Sequence, residues 1–186
     1  VKGAFFLTGH FVENYPHIVR RLVRQGHYVG SHSYGHLLYF PWDGSRMNVT
    51  REEFEQDIRK SYSALEPYGI TIEKAPYFVP PYEHYNDTVS AWAADMGLKL
   101  INFTPGSTSN ADYTTPQMKN YRSSQTIYEN ILSLEQREGL NGHLLLFHIG
   151  TVEARTDKFY RSHLKMLIRE LKRRGYKINN LKKHTL

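Results

Sequence analysis

Short apolar runs and helix-period stripes alternate along the whole chain. The apolar runs predict six strands, and residues 144–148, Leu-Leu-Leu-Phe-His, form the clearest buried one. Five of the predicted strands are residues 2–8, 28–31, 98–103, 144–148 and 176–178, and the sixth is a strand of a few residues that runs into a stiff proline turn within 76–82.

Helical signals fill the segments between these runs. Apolar residues three and four positions apart predict helices over 16–25, after Thr50, after Asn86 or Asp87, before Gly139 and before Gly175. Thr50 and Glu53 have the spacing of a capping box. Because strands and helices alternate without a hairpin signal, the pattern predicts an α/β fold with a parallel sheet and helical crossovers.

Length and composition limit the possibilities further. A chain of 186 residues fits one domain over residues 1–186, and no apolar run reaches the roughly 20 residues that span a bilayer. The net charge of +6 lies largely on the exposed side of the last helix, so we expect no nucleic-acid partner. Because the chain has no cysteine, a metal would need His, Asp, Glu or water ligands.

Two histidines follow the second predicted strand. His32 and His36 lie four residues apart in Ser31-His-Ser-Tyr-Gly-His36, directly after residues 28–31. Imidazoles at this spacing can converge on one divalent ion. The alternative is a pair of surface loop histidines.

Two further candidates follow other predicted strands. Tyr82 comes after Pro80 and Pro81, and His148 ends the run 144–148. The carboxyl ends of parallel strands carry the chemistry in α/β folds, so Tyr82 and His148 are candidate catalytic residues. The alternatives are a plain rigid turn for Tyr82 and a core histidine bonded to backbone for His148.

These motifs together resemble the polysaccharide deacetylases, the NodB-like carbohydrate esterase family 4. Order and spacing agree over nearly the whole chain. The resemblance is carried by four stretches: Ala4-Phe-Phe-Leu-Thr-Gly9, Ser31-His-Ser-Tyr-Gly-His36, Pro80-Pro-Tyr82 and Leu144-Leu-Leu-Phe-His148.

The resemblance implies a distorted (β/α)7 barrel that hydrolyses acetyl groups from a polysaccharide with a divalent metal, Zn²⁺ or a similar ion. His32 and His36 would bind the metal, which lowers the pKa of a bound water toward the neutral range. The backbone N–H of Tyr82 would hold the oxyanion, and His148 would act as general acid.

This sequence departs from the family pattern at three places. The family's first strand and its Asp-Asp pair, which supplies the base and a third metal ligand, are missing, so we expect an N-terminally incomplete domain and another strand upstream of Val1. Val79 stands where the family has an arginine. Where the family has the carboxylate that tunes the catalytic histidine, this chain has Asn102-Phe-Thr-Pro-Gly106, and Asp112 is a candidate substitute that the sequence supports only weakly.

Two functions remain open. The first is a metal-dependent hydrolase acting on N-acetylated chitin- or peptidoglycan-type polymers or on O-acetylated xylan, with an extracellular, periplasmic or cell-surface location expected. The second is a catalytically silent barrel that binds carbohydrate. In either case the partner is an acetylated polysaccharide or oligosaccharide. Tyr39, Phe40 and Trp42, just after the histidines, could stack on sugar rings or cover the barrel rim. The sequence leaves the oligomeric state open.

Overall fold

The structure, a computed structural model, describes residues 1–181. These residues fall into two compact units, one of residues 1–101 with the segment from Asn179, the other Asn102–Ile178. The prediction of one domain over residues 1–186 stays a prediction.

A four-stranded parallel sheet forms the centre of the first unit. Its strands are β1 (Ala4–Leu7), β2 (Tyr28–Ser31), β3 (Tyr77–Phe78) and β4 (Lys99–Leu100), in the order β1-β2-β3-β4. All three pairings are parallel, as the alternation of strand and helix predicts. Within the described residues the hydrogen-bond ladder does not close into a barrel.

Four α-helices connect or flank these strands. They are α1 (Gly9–Asn14), α2 (Pro16–Arg24), α3 (Arg51–Leu65) and α4 (Asp87–Asp95), with short 3₁₀ helices at Glu66–Tyr68 and Pro81–Glu83. The capping box predicted for α3 is confirmed, since the Glu53 N–H donates to Thr50 Oγ1 and the Thr50 N–H donates to the Glu53 carboxylate. Asn86 caps α4 through the N–H of Val89.

Helix α3 covers the sheet with a buried aromatic cluster. The Phe54 ring is fully buried and meets Tyr39, Phe78 and Trp92 at ring-centroid distances of 5.0, 6.4 and 5.7 Å. Because Phe78 belongs to β3, this contact joins the helix to the sheet from which the candidate site projects.

The second unit is helical. It contains α5 (Ser124–Glu138), α6 (Phe159–Ser162) and α7 (Leu164–Arg173), with a 3₁₀ helix at Ser109–Tyr113. None of the described helices has the length and apolar character that a bilayer crossing requires. The apolar faces of the three α-helices form one core with Leu140, and its buried residues are Ile127, Ile131, Leu134, Leu140, Phe159, Leu167 and Leu171.

Two predicted strands, 144–148 and 176–178, are wrong, and so is the count of six. Residues 144–148 are half-buried and have a backbone partner, the Thr104 N–H that donates to the Leu144 carbonyl, while side chains accept the N–H groups. The N–H groups of Leu144, Leu146 and His148 donate to oxygens on the side chains of Thr104, Ser109 and Asp112. In the other segment, the Tyr176 hydroxyl instead accepts the N–H of Leu140, near the end of α5.

We expect Phe54→Ala to lower the free energy of unfolding by about 3–5 kcal/mol, because it removes a fully buried ring and leaves a cavity. Gln56→Ala, at an exposed position of the same helix, should change it by less than about 0.5 kcal/mol. Urea unfolding measures both changes. Equal effects would show that the aromatic cluster does not hold α3 on the sheet.

Candidate active site

His32 and His36 lie side by side in a tight turn that leaves β2. Their ring centroids are 4.9 Å apart, with the planes inclined by 63°. The His32 N–H donates to the Leu7 carbonyl, which extends the β1–β2 ladder into the turn. The Ser33 hydroxyl accepts the N–H of His36 at 2.9 Å. The sequence spacing therefore corresponds to a real convergence of the two rings.

The orientation of the His32 ring is set by a backbone carbonyl. Its Nδ1 lies 2.8 Å from the Val79 oxygen. A carbonyl oxygen only accepts, so Nδ1 carries the hydrogen and a neutral ring has its lone pair on Nε2. Such an outer hydrogen bond is the usual way in which a metal-binding histidine is oriented.

Asp57 of α3 holds the middle of the turn. Its two carboxylate oxygens accept the N–H groups of Tyr34 and Gly35, each at 2.9 Å. On the other side, the first N–H groups of α1, those of Gly9 and His10, donate to the carbonyls of Ser33 and Tyr34. The turn is thus fastened between two helices.

Tyr34 strengthens this attachment through its side chain. Its hydroxyl donates to Glu13 of α1 at 2.9 Å, and the Lys60 ammonium of α3 lies 3.8 Å from its ring centroid. A Cβ at Gly9 would lie 2.0 Å from this ring, so that position requires glycine.

Tyr82 reaches the same place from the end of β3. Its ring centroid lies 4.5 Å from that of His36, with the planes inclined by 60°. Tyr82 and Glu83 have φ of 61° and 54° in the 3₁₀ helix Pro81–Glu83. Ser33 and His36 also have positive φ. Within residues 1–181, five non-glycine residues have a positive φ, and these four are among them. Such backbone strain is typical of functional sites.

His148 belongs to the second unit and forms a dyad with Asp112. Its Nδ1 lies 2.7 Å from Asp112 Oδ1, and its backbone N–H donates to Oδ2 at 2.8 Å. Asp112, which the sequence supported only weakly as a substitute carboxylate, therefore makes the contact with His148 that such a substitute requires. Asp112 is 1% exposed, and this burial raises the pKa of its carboxyl, although the hydrogen bonds from His148 act in the opposite direction.

A buried arginine holds the segment around this dyad. The Arg155 guanidinium is fully buried and donates to the carbonyls of Thr114, Arg122 and Asp157. Thr114 directly follows the 3₁₀ helix that carries Asp112. The arginine therefore fixes the end of that helix.

The predicted site residues thus lie in two units, each described by itself. His32, His36 and Tyr82 come together in the first unit, and His148 lies in the second. Within residues 1–181 no three His, Asp or Glu side chains form a metal-binding group. Sequence reasoning missed Asp57, because an aspartate between Phe54 and Ile58 has the pattern of an ordinary solvent-facing position.

The chain is similar to known deacetylases. A family model described as polysaccharide deacetylase matches residues 1–101. A peptidoglycan-N-acetylglucosamine deacetylase of Bacillus cereus is 29% identical over 105 residues, which are 56% of this chain and 34% of that protein. A second protein of that description from the same organism is 23% identical over 176 residues, 95% of this chain and 71% of that protein. The chain thus spans about a third of one of these relatives and most of the other.

Solved structures show the same fold. A peptidoglycan N-acetylglucosamine deacetylase superposes with a TM-score of 0.74 at 24% identity, covering 97% of this chain and 73% of that one. A carbohydrate esterase family 4 pseudoenzyme from Bacillus anthracis gives 0.72 at 22% identity, covering 98% and 55%. These likenesses confirm the predicted fold class, that of the NodB-like deacetylases.

We expect Asp57→Asn to lower the free energy of unfolding by about 2 kcal/mol, because the amide NH₂ turns a donor toward a backbone N–H and the charge is lost. The matched control is Asp95→Asn, which removes an exposed ion pair with Arg51 and should cost less than about 1 kcal/mol. Urea unfolding compares them. A similar small loss for both variants would contradict the role given to Asp57.

Proposed function

Because the chain belongs to the polysaccharide deacetylase family, we propose that it removes acetyl groups from an acetylated polysaccharide by metal-dependent hydrolysis. The observation that carries the proposal is the convergence of His32 and His36, with His32 oriented by the Val79 carbonyl. The chemistry is the addition of water to the acetyl carbonyl, with release of acetate and a sugar amine or hydroxyl.

The two histidines fit a divalent ion as part of its ligand set. His32 offers Nε2 in the tautomer that its Nδ1 hydrogen bond selects, and His36 lies against it in a turn fastened by Asp57. When bound, the ion, which we propose to be zinc, would activate a water molecule at neutral pH. The third ligand and the base, expected from an acidic pair upstream of Val1, remain a prediction.

The other residues have distinct proposed roles. The backbone N–H of Tyr82 stabilises the oxyanion that forms on the acetyl carbonyl. His148 donates a proton from Nε2 to the leaving amine or alkoxide, while its Nδ1–H remains hydrogen-bonded to the Asp112 carboxylate. Asp112 is a positioning residue in this scheme, since it fixes the ring orientation and favours the protonated imidazole.

Relatives supply the proposed substrate class. The similar proteins are named for two substrates, peptidoglycan N-acetylglucosamine and chitin. The chitin deacetylase is from Arthroderma benhamiae and is 32% identical over 104 residues, which are 54% of this chain and 26% of that protein. We therefore place N-acetylated amino-sugar polymers first and O-acetylated xylan second. Since such polymers lie outside the cytoplasm, we propose an extracellular, periplasmic or cell-surface location.

A catalytically silent carbohydrate-binding barrel is the second candidate. It is favoured by Val79, which is buried at 4% exposure and brings no charge to the position of the family arginine. A structurally similar protein is described as a pseudoenzyme. The experiments on metal binding and on His148 separate the two candidates.

Removal of either histidine should weaken metal binding. We expect His32→Ala and His36→Ala each to weaken Zn²⁺ binding at least 10-fold, because each would lose one ligand. His17→Ala, at an exposed position of α2, should leave it unchanged. Isothermal titration of chelator-treated full chain measures the affinities. Unchanged Zn²⁺ binding in both site variants would overturn the metal assignment.

Loss of the proposed general acid should lower the rate of deacetylation without changing metal binding. We expect His148→Ala to lower deacetylation roughly 10²- to 10⁴-fold while Zn²⁺ content stays intact. Asp112→Asn should lower the rate less and shift the alkaline limb of the pH profile to lower pH, because the imidazolium that donates the proton loses its charged partner. Acetate release from N-acetylated chitin oligomers measures both. Loss of zinc with retained turnover would reassign His148, and no turnover by the unmodified full-length protein would favour the silent barrel.

A further inference from the structure

Trp42 is the most exposed large hydrophobic side chain among residues 1–181, with 66% of its surface accessible. The two aromatic residues beside it behave differently, since Tyr39 and Phe40 are buried. Of the three aromatics after the histidine turn, Trp42 is therefore the one with a face open to a ligand.

The loop presents Trp42 on a fixed turn. The Gly44 N–H donates to the Pro41 carbonyl at 3.0 Å, which closes a tight turn with Trp42 at its corner. Farther down, the Asn48 N–H donates to the Tyr39 carbonyl at 2.8 Å and closes the base of the loop. An indole held in this way loses little conformational freedom when it binds.

A stack of rings supports the indole from behind. The Trp42 ring lies 4.1 Å from the His84 ring, and His84 is stacked on buried Phe40 at 4.0 Å with an interplanar angle of 28°. His84 keeps this place although its Nε2 is buried and has no hydrogen-bond partner among the described residues. A buried nitrogen without a hydrogen-bond partner lowers the free energy of unfolding. An unsatisfied group of this kind in a folded protein calls for an explanation, and a functional role is one.

Tyr82 connects this stack to the histidine pair. Its ring meets Trp42 edge-on at 6.4 Å and His36 at 4.5 Å, and it is itself 44% exposed. The exposed indole is thus two ring contacts away from the proposed metal ligands, within one unit.

We propose that Trp42, backed by His84 and flanked by Tyr82, is a sugar-stacking subsite that binds a pyranose ring neighbouring the acetylated residue. This inference rests on the proposed function for the choice of ligand. A pyranose presents a face of C–H groups that packs on the electron-rich face of an indole. The subsite would position the polymer and would determine how long a substrate the site prefers.

The test uses Trp42 as its own reporter. The chain has two tryptophans, so Trp92→Phe leaves Trp42 as the single indole. We expect its fluorescence to change on titration with a pentamer of N-acetylglucosamine. Anionic phospholipid vesicles should leave it unchanged. A change with vesicles and none with the pentamer, or no change with either, would overturn the proposal.

Substitutions then measure the contribution of the indole. Trp42→Ala should weaken pentamer binding roughly 10-fold, which corresponds to about 1.4 kcal/mol, and Trp42→Phe should retain most of the affinity. Tyr15→Ala, which removes an aromatic ring of 46% exposure from another surface, is the matched control. If Trp42→Ala binds the pentamer as tightly as the Tyr15→Ala control, the subsite does not exist.

The outcome separates this proposal from the proposed function. Pentamer binding that depends on Trp42 in a protein without turnover would support the subsite and refute the hydrolase. In an active protein, we expect Trp42→Ala to raise KM by more than it lowers kcat, because stacking contributes binding before the reaction. Turnover with no change in KM or in pentamer affinity would support the hydrolase and refute the subsite.

Discussion

The contact between the Asp57 carboxylate and the N–H groups of Tyr34 and Gly35 holds the histidine turn in shape. Ser33 and His36 both have left-handed backbone, which residues with a Cβ adopt at a cost. The segment would not keep this conformation by itself. Hydrogen bonds from α1 and from α3 offset the strain, so the separation of the two imidazoles depends on two helices that lie outside the turn.

Helix packing in turn determines where that carboxylate lies. Asp57 comes three residues after Phe54 and one before Ile58, both fully buried. A rotation or shift of α3 that moved Asp57 away from the turn would also expose these side chains. The capping box at Thr50 fixes where the helix begins. The position of the Asp57 carboxylate is therefore set by the packing of α3 in the hydrophobic core and by the residue at which α3 begins.

Local signals predicted most of the fold of the first unit, because helix caps, apolar stripes and apolar strand runs are formed by residues that are close together in sequence. They failed for residues 144–148, whose N–H groups donate to side chains such as those of Ser109 and Asp112 that lie far away in sequence. Such pairing leaves no periodic trace. The same reason explains what could be predicted of the candidate site. The spacing of His32 and His36 is a local signal, whereas the contact between His148 and Asp112 joins residues far apart in sequence and is seen only in the folded chain.

The departures from the family pattern differ in their physical consequences. At His148 a carboxylate is present although it does not come from the segment after residues 98–103, since Asp112 Oδ1 lies 2.7 Å from the His148 Nδ1. At position 79 the backbone carbonyl still orients His32, and a carbonyl does so whatever the side chain is. The valine side chain, however, cannot hold a catalytic base by charge. His32 and His148 are each oriented by a hydrogen bond at Nδ1. The proposed hydrolysis would additionally need a base that takes a proton from water and is held without the arginine.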